Sequence, residues 1–331
     1  MRRGTGRHED FEAHIQMSEA AILLQILRLP GIGPAKLRLL LARLFQLGVP
    51  IERITELSDE QLALGARLKG EQIAALRHPA SDAEEDLHQC ADKGIRTLLP
   101  ADSDYPLRLI TLLKQNAPPL LFVRGNLTLL NYPCLGISGA RKATEESLAA
   151  THKLSQSLSQ HGWVIASGGA RGADEAAHLG SLQSGGPGTI VVMPTGILKP
   201  NIRGEMRKHL EDGRTLLLSE FPPEFGWTVG CAMQRNRLLI ALSSAAVLIE
   251  PGITGGTGGT GKIALRLGLP LFVLETPAGI GAGGPDLVKA GAQILNLGRR
   301  TAAQVAHLFE EAGALAGADR ERGITPSLFT S

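Results

Sequence analysis

Four short segments made almost wholly of apolar residues constrain the fold of this 331-residue chain more than any other feature. They read TIVVM, TLLLS, AVLIE and LFVLE, and stretches with helical spacing lie between them. A strand with one face in water alternates apolar and polar residues, whereas these segments predict strands that are buried on both faces. They therefore predict a parallel sheet with helices on both sides.

The predicted elements alternate from about residue 82 onward, with glycine near most turns. Strands are predicted over 135–138, 163–167, 189–193, 215–219, 246–250 and 270–275. Helices are predicted over 144–161, 174–184, 202–212, 234–243 and 262–268. The units are too few and too irregular for an eight-unit barrel, so we expect a doubly wound α/β fold with a mostly parallel sheet.

The N-terminal part predicts a small all-helical module. Its apolar residues recur at spacings of three and four, and the segment from Pro30 to Pro34 separates two apolar helices. This arrangement is typical of SAM-like or helix-hairpin-helix modules, whose turn offers amides to a DNA phosphate, but the same turn also simply joins two helices. The predicted domains are a flexible tail over 1–17, the helical module over 18–80, the doubly wound domain over 82–312 and a disordered tail over 313–331.

Composition limits the classes of protein and partner. The 34 basic and 32 acidic residues give a net charge of +2, so a nucleic-acid or membrane partner must be met by a local patch. Cys90, Cys134 and Cys231 are far apart and lack zinc-ligand spacing, which predicts a reducing cytoplasm and no metal or other cofactor. The longest apolar stretch, 238–249, is shorter than the roughly 20 residues of a membrane span. Aromatic residues make up only 4%, so platforms for base stacking are scarce.

Loops that follow parallel strands meet at one edge of the sheet, and two of them combine glycine with a cation just before a helix. Amides at a helix N-terminus bind anions, glycine lets a phosphate approach, and arginine supplies charge and forked hydrogen bonds. We therefore predict a phosphate or polyphosphate site, although any doubly wound fold also needs glycine turns. The two loops are Ser138-Gly139-Ala140-Arg141-Lys142 and Gly168-Gly169-Ala170-Arg171-Gly172.

Polar residues elsewhere give two further candidates. Arg235 and Arg237 open the helix before the strand at 246–250, and residues two apart on a helix do not face each other. One of them points to the ligand edge, or both are solvated or ion-paired. Asp174 and His178, four residues apart, suggest a Ser-His-Asp triad, but the G-x-S-x-G elbow around Ser138 ends in alanine, which favours capping and packing roles.

The segment PGITGGTGGTG, residues 251–261, is the most glycine-rich part of the chain. From Gly256 to Lys262 it is close to a phosphate-binding P-loop, but Ile263 stands where the P-loop has the hydroxyl that binds magnesium. We therefore expect a flexible glycine loop that covers a phosphate rather than a site for hydrolysis of nucleoside triphosphates.

The order of the motifs resembles the DNA-processing protein A family (DprA, also called Smf) of natural transformation. The resemblance covers roughly residues 85–297. Its motifs are Asp104-Tyr105-Pro106, Pro118 to Gly125, Gly139-Ala140-Arg141, Ser167 to Asp174 with His178, Pro200-Asn201, Ser219 to Pro222, Arg235-Asn236-Arg237 and Gly284 to Leu295.

The resemblance implies a single-stranded DNA-binding recombination mediator rather than an enzyme. It further implies an extended Rossmann-like domain behind a helical module, a homodimer, protection of incoming single strands and loading of the RecA recombinase. The phosphate-contacting positions of the family carry over to Arg141, the loop 168–172 and the Lys199–Asn201 loop. They also carry over to Arg235 and Arg237, unless these two are structural.

Two alternatives remain open. Pro251-Gly252 and Gly259-Thr260 resemble the loop of nucleotide phosphoribohydrolases of the lysine-decarboxylase-like fold, in which a catalytic glutamate follows. That position falls on Ile263 or Thr260 here, so the general acid/base carboxylate is missing. A nucleotide-sensing module of the same fold is the other alternative.

Overall fold

The computed structural model describes residues 18–79, 82–198, 200, 204–210 and 212–321. Within these ranges nine strands form one sheet, in the spatial order β1-β2-β6-β5-β4-β3-β7-β8-β9. The strands are β1 (Ile95–Leu98), β2 (Leu121–Gly125), β3 (Cys134–Gly139), β4 (Val164–Ser167), β5 (Thr189–Val192), β6 (Thr215–Ser219), β7 (Ala245–Ile249), β8 (Leu271–Glu275) and β9 (Gln293–Asn296).

The sheet has the topology of a doubly wound fold. All neighbouring pairs from β6 to β9 are parallel, and only β2 pairs antiparallel, with β1 and with β6. The chain moves outward from β3 through β4, β5 and β6, then returns to the other side of β3 with β7. This reversal creates a crevice at the carboxyl ends of β3 and β7, where such folds bind ligands. The predicted fold class is confirmed.

Helices cover both faces of the sheet. Several begin at a residue whose side chain accepts a hydrogen bond from the first turn, as Ser18, Asp82, Thr144 and Thr228 do. Within the described ranges no helix is both long and apolar enough to span a membrane. The helices are α1 (Glu19–Leu27), α2 (Pro34–Gln46), α3 (Gly70–Arg77), α4 (Ala83–Asp92), α5 (Leu107–Leu113), α6 (Glu145–Gln160), α7 (Ala173–Leu182), α8 (Gly204–Lys208), α9 (Val229–Leu242), α10 (Gly256–Arg266), α11 (Gly284–Lys289) and α12 (Ala302–Glu321).

The apolar strands form the core, as their composition predicts. Every residue of β4, β5, β6 and β7 is buried. On one face Trp163, Phe272 and Phe309 pack edge to face, and on the other α9 contributes Leu238 and Leu239. A strand between two helical layers has no solvated face, which explains the absence of polar alternation in its sequence.

The N-terminal helices pack directly on the sheet. Leu24, Leu37 and Leu76 belong to the same apolar cluster as Phe122 and Leu217, which lie in β2 and β6. Helix α4, which begins beyond the predicted boundary at residue 80, joins this cluster as well. The helical module and the doubly wound domain therefore share one continuous core.

The glycine-rich segment folds differently from the prediction. Helix α10 begins at Gly256, whereas the sequence predicts a loop up to residue 261. Glycine has a low helix propensity, but here tertiary packing outweighs it. A Cβ on Gly261 would lie 2.7 Å from Leu248 Cδ1, and one on Gly258 would lie 2.7 Å from the oxygen of Gly252. The glycines let α10 lie close to β7 and to its own preceding loop.

The structure also differs from the prediction at the start of one helix and in the C-terminal segment. Helix α9 begins at Val229 rather than at 234, because Thr228 caps it. Helix α12 continues to Glu321, so the expected disordered tail is wrong for residues 313–321, whose alanine, leucine and glutamate favour helix. The predicted tail over 1–17 and the last part of the other, 322–331, lie outside the described residues.

Candidate nucleic-acid interface

Two glycine-bearing loops that follow β3 and β4 meet at the carboxyl edge of the sheet. These cationic loops are residues 139–142 and 168–172. The two strands are parallel neighbours, so their ends point the same way. A Cβ placed on Gly172 would lie 2.7 Å from the carbonyl oxygens of both Ala140 and Arg141, so the loops are in direct contact. The structure thus brings the two predicted phosphate-binding segments into one surface.

Gly172 is needed where the cationic loops touch. It has a φ of 83°, and any side chain would meet backbone atoms that cannot rotate away. We expect Gly172→Ala to lower the free energy of unfolding by about 1–3 kcal/mol. Gly162 is the matched control, because its φ is also 83° but a Cβ placed on it would have no heavy atom within 4 Å. Equal losses for the two variants in urea denaturation would contradict a steric role for Gly172.

Three cations on these loops are available to a ligand. Arg141, Lys142 and Arg171 are exposed. Among the residues that the structure describes, no carboxylate forms an ion pair with any of them. Because none is neutralised internally, their charges together favour a polyanion.

An aromatic side chain that the sequence reasoning missed lies beside the cations. Trp227 is 51% exposed, and its ring centroid is 6.0 Å from the guanidinium carbon of Arg141. This distance is at the limit of a cation–π contact. Phe225 and Met233, near it in the chain, are also exposed. The sequence does show a tryptophan in the loop just after the Ser219–Pro222 motif. It was overlooked because the low aromatic content of the whole chain argued against base stacking.

Arg235 supports the cationic loop 168–172 from its buried side. Its side chain is buried, donates to the carbonyl oxygen of Val192 at 2.9 Å and lies so close to Gly168 that a Cβ there would be 1.6 Å from Nη1. Burial lowers the pKa of Arg235, and the nearby carboxylate of Asp174 acts against that shift. Asp174 also accepts from the amide of Ala170 at 3.3 Å. The structure therefore places Arg235 beneath the loop and away from solvent.

Arg237 forms an internal ion pair. Its Nη2 lies 2.9 Å from Oε2 of Glu220, whose side chain is fully buried. Burial raises the pKa of Glu220, while the charge and hydrogen bond of Arg237 act to lower it. Arg237 therefore compensates a carboxylate at the end of β6.

The remaining predicted residues of the two loops mostly make contacts within the protein. Ser138 is buried, and its hydroxyl oxygen lies 3.5 Å from the hydroxyl oxygen of Thr260. The amide of Ala140 donates to Ile249 at 3.1 Å, so like the amide of Ala170 it already has an internal partner. Gly139 permits close packing with its neighbours, and Gly169 is partly exposed with a φ of 73°.

Two predicted site residues, Lys199 and Asn201, lie outside the described residues. The chain just before them is fixed, because the amide of Leu198 donates to the carbonyl oxygen of Pro223 at 3.0 Å. Residues 193–198 therefore leave β5 at the same edge of the sheet as the cationic loops.

The histidine of the possible triad pairs with a threonine, and the serine at the end of β4, Ser167, donates to a backbone carbonyl oxygen. Ser167 donates to the carbonyl oxygen of Ile137 at 2.7 Å. His178 is fully buried with Nδ1 2.7 Å from the hydroxyl of Thr189, and burial together with the charge of Arg235 lowers its pKa to about 3. The packing roles favoured by the sequence describe these contacts.

A carboxylate of the protein occupies the start of α6, next to the crevice between β3 and β7. Glu250 Oε1 accepts from the amide of Thr144 at 3.0 Å and from its hydroxyl at 2.6 Å. Two further acidic residues, Glu145 and Glu146, lie in the first turn. The helix end that would attract a ligand phosphate in a doubly wound fold is therefore already surrounded by negative charge.

The charge of Glu250 gives stability a specific pH dependence. Burial raises its pKa, but hydrogen bonds from Ser147 and Thr144 outweigh burial, so the pKa lies below the ordinary 4.5. A lowered folded-state pKa stabilises the fold above pH 4.5 and loses that effect as the pH falls through the folded value. We expect Glu250→Gln to be less stable than the parent at pH 7, by about 1 kcal/mol or less because the group is near water. The gap in unfolding free energy should narrow at pH 3.5, and a gap independent of pH would contradict this account.

Helix α10 begins at the same crevice, but its N-terminus lacks the acidic residues found at the start of α6. Its N-cap, Gly255, has a φ of 101° and supplies no capping side chain, and the first turn contains no acidic residue. Lys262 is exposed further along this helix. Within the described ranges no group of three or more histidine, cysteine or acidic side chains is placed to hold a metal ion.

The fold and the loops define a class: doubly wound α/β proteins that present cations and an aromatic ring at the carboxyl edge of the sheet. The chain belongs to the DNA recombination-mediator protein A family, whose model matches residues 96–306. It is therefore a DprA-like DNA processing protein, and the predicted family is confirmed.

Individual relatives agree with this assignment. DNA processing protein DprA of Streptococcus pneumoniae is 30% identical over 256 residues, which cover 74% of this chain and 88% of that protein. Protein Smf of Escherichia coli is 32% identical over 200 residues, covering 59% of this chain and 53% of its own.

Two solved structures share the fold. The X-ray structure of the S. pneumoniae protein matches with a TM-score of 0.69 and 24% identity, covering 84% of this chain and 95% of that one. DNA processing protein A from Helicobacter pylori matches with a TM-score of 0.53 and 26% identity, covering 66% and 96%. The latter structure is described as giving insight into a unique single-stranded DNA binding mode of that protein.

Proposed function

We propose that this chain binds single-stranded DNA along the carboxyl edge of its sheet and acts there as a recombination mediator. The observation that carries the proposal is the position of Arg141: it is exposed, has no carboxylate partner among the described residues, and lies beside the exposed ring of Trp227. One side chain offers charge to a phosphate and the other offers an aromatic face to a base.

The phosphate part of the proposal rests on three cations. Arg141, Lys142 and Arg171 contact successive or nearby phosphates in this proposal, and Lys199 and Asn201 are kept as further phosphate contacts on the family resemblance alone. Arginine pairs well with phosphate because its planar guanidinium donates two parallel hydrogen bonds. Arg235 and Arg237 hold the loops and the end of β6 in place and do not contact the strand in this proposal. Such backbone-directed binding tolerates any sequence.

The preference for a single strand rests on Trp227. Duplex bases are stacked on one another and present no free face, whereas an unpaired base can stack on an exposed indole. The H. pylori protein named above is described as binding single-stranded DNA, which supports the same ligand class for this relative.

The proposed biological steps rest on the resemblance to the family. We propose that the bound strand is protected, that the chain acts as a homodimer in the cytoplasm, and that it helps load RecA. Adding the protein to RecA and to a single strand coated with single-strand binding protein should shorten the lag before strand exchange. An unchanged lag would remove the RecA step and leave DNA binding intact.

A titration tests DNA binding itself. Labelled oligonucleotides of one sequence, single-stranded and double-stranded, are titrated with protein at about 50 and about 200 mM salt. We expect tighter binding of the single strand at both concentrations and weaker binding at the higher one. Equal affinity for the duplex, or no binding at either salt concentration, would contradict the proposal.

One observation favours the nucleotide-sensing alternative. Helix α10 starts at the ligand crevice with no acidic residue in its first turn and no capping side chain, which suits a small phosphate ligand. Against it, Glu250 and the acidic first turn of α6 repel phosphate at the other side of the crevice. A sensor binds ADP or AMP in calorimetry, and that ligand competes with DNA; a hydrolase releases free base from nucleoside monophosphates. We expect neither result.

A further inference from the structure

The loop that carries Trp227 is tied to the N-terminal helical module. This aromatic loop, residues 220–228, connects β6 to α9. Its Glu224 is held by Arg28 at the end of α1, with Oε1 3.0 Å from Nε and 2.8 Å from Nη2. Nη1 of the same arginine lies 2.8 Å from Asp86 in α4. One guanidinium therefore joins two helices of the module to the loop.

This contact differs from an ordinary surface ion pair. The side chain of Arg28 is only 19% exposed and meets two carboxylates at once. Nε donates a charge-assisted hydrogen bond to Oε1 of Glu224, and Nη2 forms an ion pair with the same oxygen, so two nitrogens hold this carboxylate rather than one. Glu224 is three residues from Trp227, with Phe225 and Gly226 between them.

The module also supports the neighbouring loop after β5. Two backbone hydrogen bonds join the loops, from the amide of Gly196 to the oxygen of Phe225 at 2.8 Å and from Leu198 to Pro223 at 3.0 Å. Ile197, between the two donors, is fully buried in the apolar cluster that the module shares with the sheet. The module is thus linked to the aromatic loop by an ion pair and to the loop after β5 by a shared apolar cluster.

We propose that Arg28 is a positioning residue for DNA binding, and that the N-terminal module acts on the site by holding the aromatic loop. In this role the module need not touch the strand. The inference rests on the proposed function, since it concerns how Trp227 reaches a base. This role explains why the module packs against the sheet. A module that bound DNA as a separate hairpin would not need that packing.

The test uses Arg28→Met, which keeps the length of the side chain and removes its charge. We expect binding of a labelled single strand to weaken by about 3- to 10-fold. The chain has two tryptophans, and the other, Trp163, is 1% exposed, so acrylamide quenching of the free protein reports on Trp227. Quenching should increase in Arg28→Met. In a Trp227→Ala background the same substitution should leave the affinity unchanged, because Arg28 acts through the loop.

Two further variants separate positioning from general stability. Glu224→Gln changes the half-exposed partner at the surface and should reproduce both effects without threatening the fold. Arg53→Met breaks an exposed ion pair with Glu56 in the same module and should change neither affinity nor quenching.

The outcomes are distinct from those for the proposed function. If the parent protein binds no single strand, the proposed function fails. If the parent binds but Arg28→Met and Glu224→Gln match it in affinity and quenching, the positioning role is wrong. An equal loss of affinity in the presence and absence of Trp227 would likewise overturn it, because the module would then act on the strand by another route.

Discussion

Replacing Arg141 and Arg171 together by alanine is expected to abolish most of the affinity for single-stranded DNA. Each charged hydrogen bond to phosphate is worth about 1.5–3 kcal/mol, so each single variant should bind roughly 10- to 150-fold more weakly and the double variant more weakly still. The slope of log affinity against log salt should fall by about 0.7 for each phosphate that is no longer neutralised. Fluorescence anisotropy over a series of salt concentrations measures both quantities.

The matched control for this experiment is Arg266→Ala. Arg266 is an exposed arginine in the last turn of α10, whereas that helix starts at the carboxyl edge, so this side chain lies at the opposite end of the helix. Its removal lowers the net charge by the same amount and should leave the salt slope unchanged. If Arg266→Ala weakens binding as much as the loop variants do, the attraction is to net charge and not to the cationic loops.

Replacing Trp227 by alanine is expected to have the second largest effect. Stacking of one base on an aromatic ring is worth about 1–3 kcal/mol, which corresponds to roughly 5- to 150-fold in affinity. Trp227→Phe should retain most of the affinity because it keeps an aromatic face. The salt slope should stay near that of the parent, because stacking releases no counterions. The expected signatures of Trp227 and of the arginines are therefore different.

Phe45→Ala is the control for the stacking variant. Phe45 is 85% exposed in the N-terminal module and away from the cationic loops. Its loss removes an exposed aromatic ring without touching the proposed site, so binding should be unchanged. A Trp227→Ala protein that binds as tightly as the parent would show that no base stacks there.

Much of the fold follows from a local signal. The apolar runs of β5, β6, β7 and β8 are buried on both faces, and a parallel sheet is the arrangement that provides this environment. Strands β1, β2 and β9 were not predicted. These strands lie at or near the sheet edges, where polar residues such as Arg96, Arg124 and Gln293 face water and weaken the apolar pattern.

The site was predictable where it depends on chain order. Loops after parallel strands must share an edge, which places Arg141 and Arg171 together. The burial of Arg235 was not predictable, because it depends on the space that Gly168 leaves for a guanidinium from a distant helix. The helical state of the glycine run was not predictable either, since it depends on packing against Leu248 and Leu287.

The combination of these features favours a polymer over a small nucleotide as the proposed ligand of this surface. Glu250 occupies the start of α6 and repels phosphate there. Arg141, Lys142 and Arg171 place three exposed positive charges on the adjacent loops. An extended strand can use several separated cations and an aromatic ring in turn, whereas a single nucleotide reaches only part of them. The ion pair between Arg28 and Glu224 supports the aromatic loop, which carries Trp227.

Photocrosslinking tests the central claim most directly. An oligonucleotide that carries 5-iododeoxyuridine is bound, irradiated, and the attached peptide is identified by mass spectrometry. We predict that the crosslink falls in the peptide that contains Trp227, and that it is lost in the Arg141→Ala, Arg171→Ala double variant. A crosslink confined to the other end of the sheet, for example around Arg266, or one that persists undiminished in the double variant, would contradict binding at the carboxyl edge.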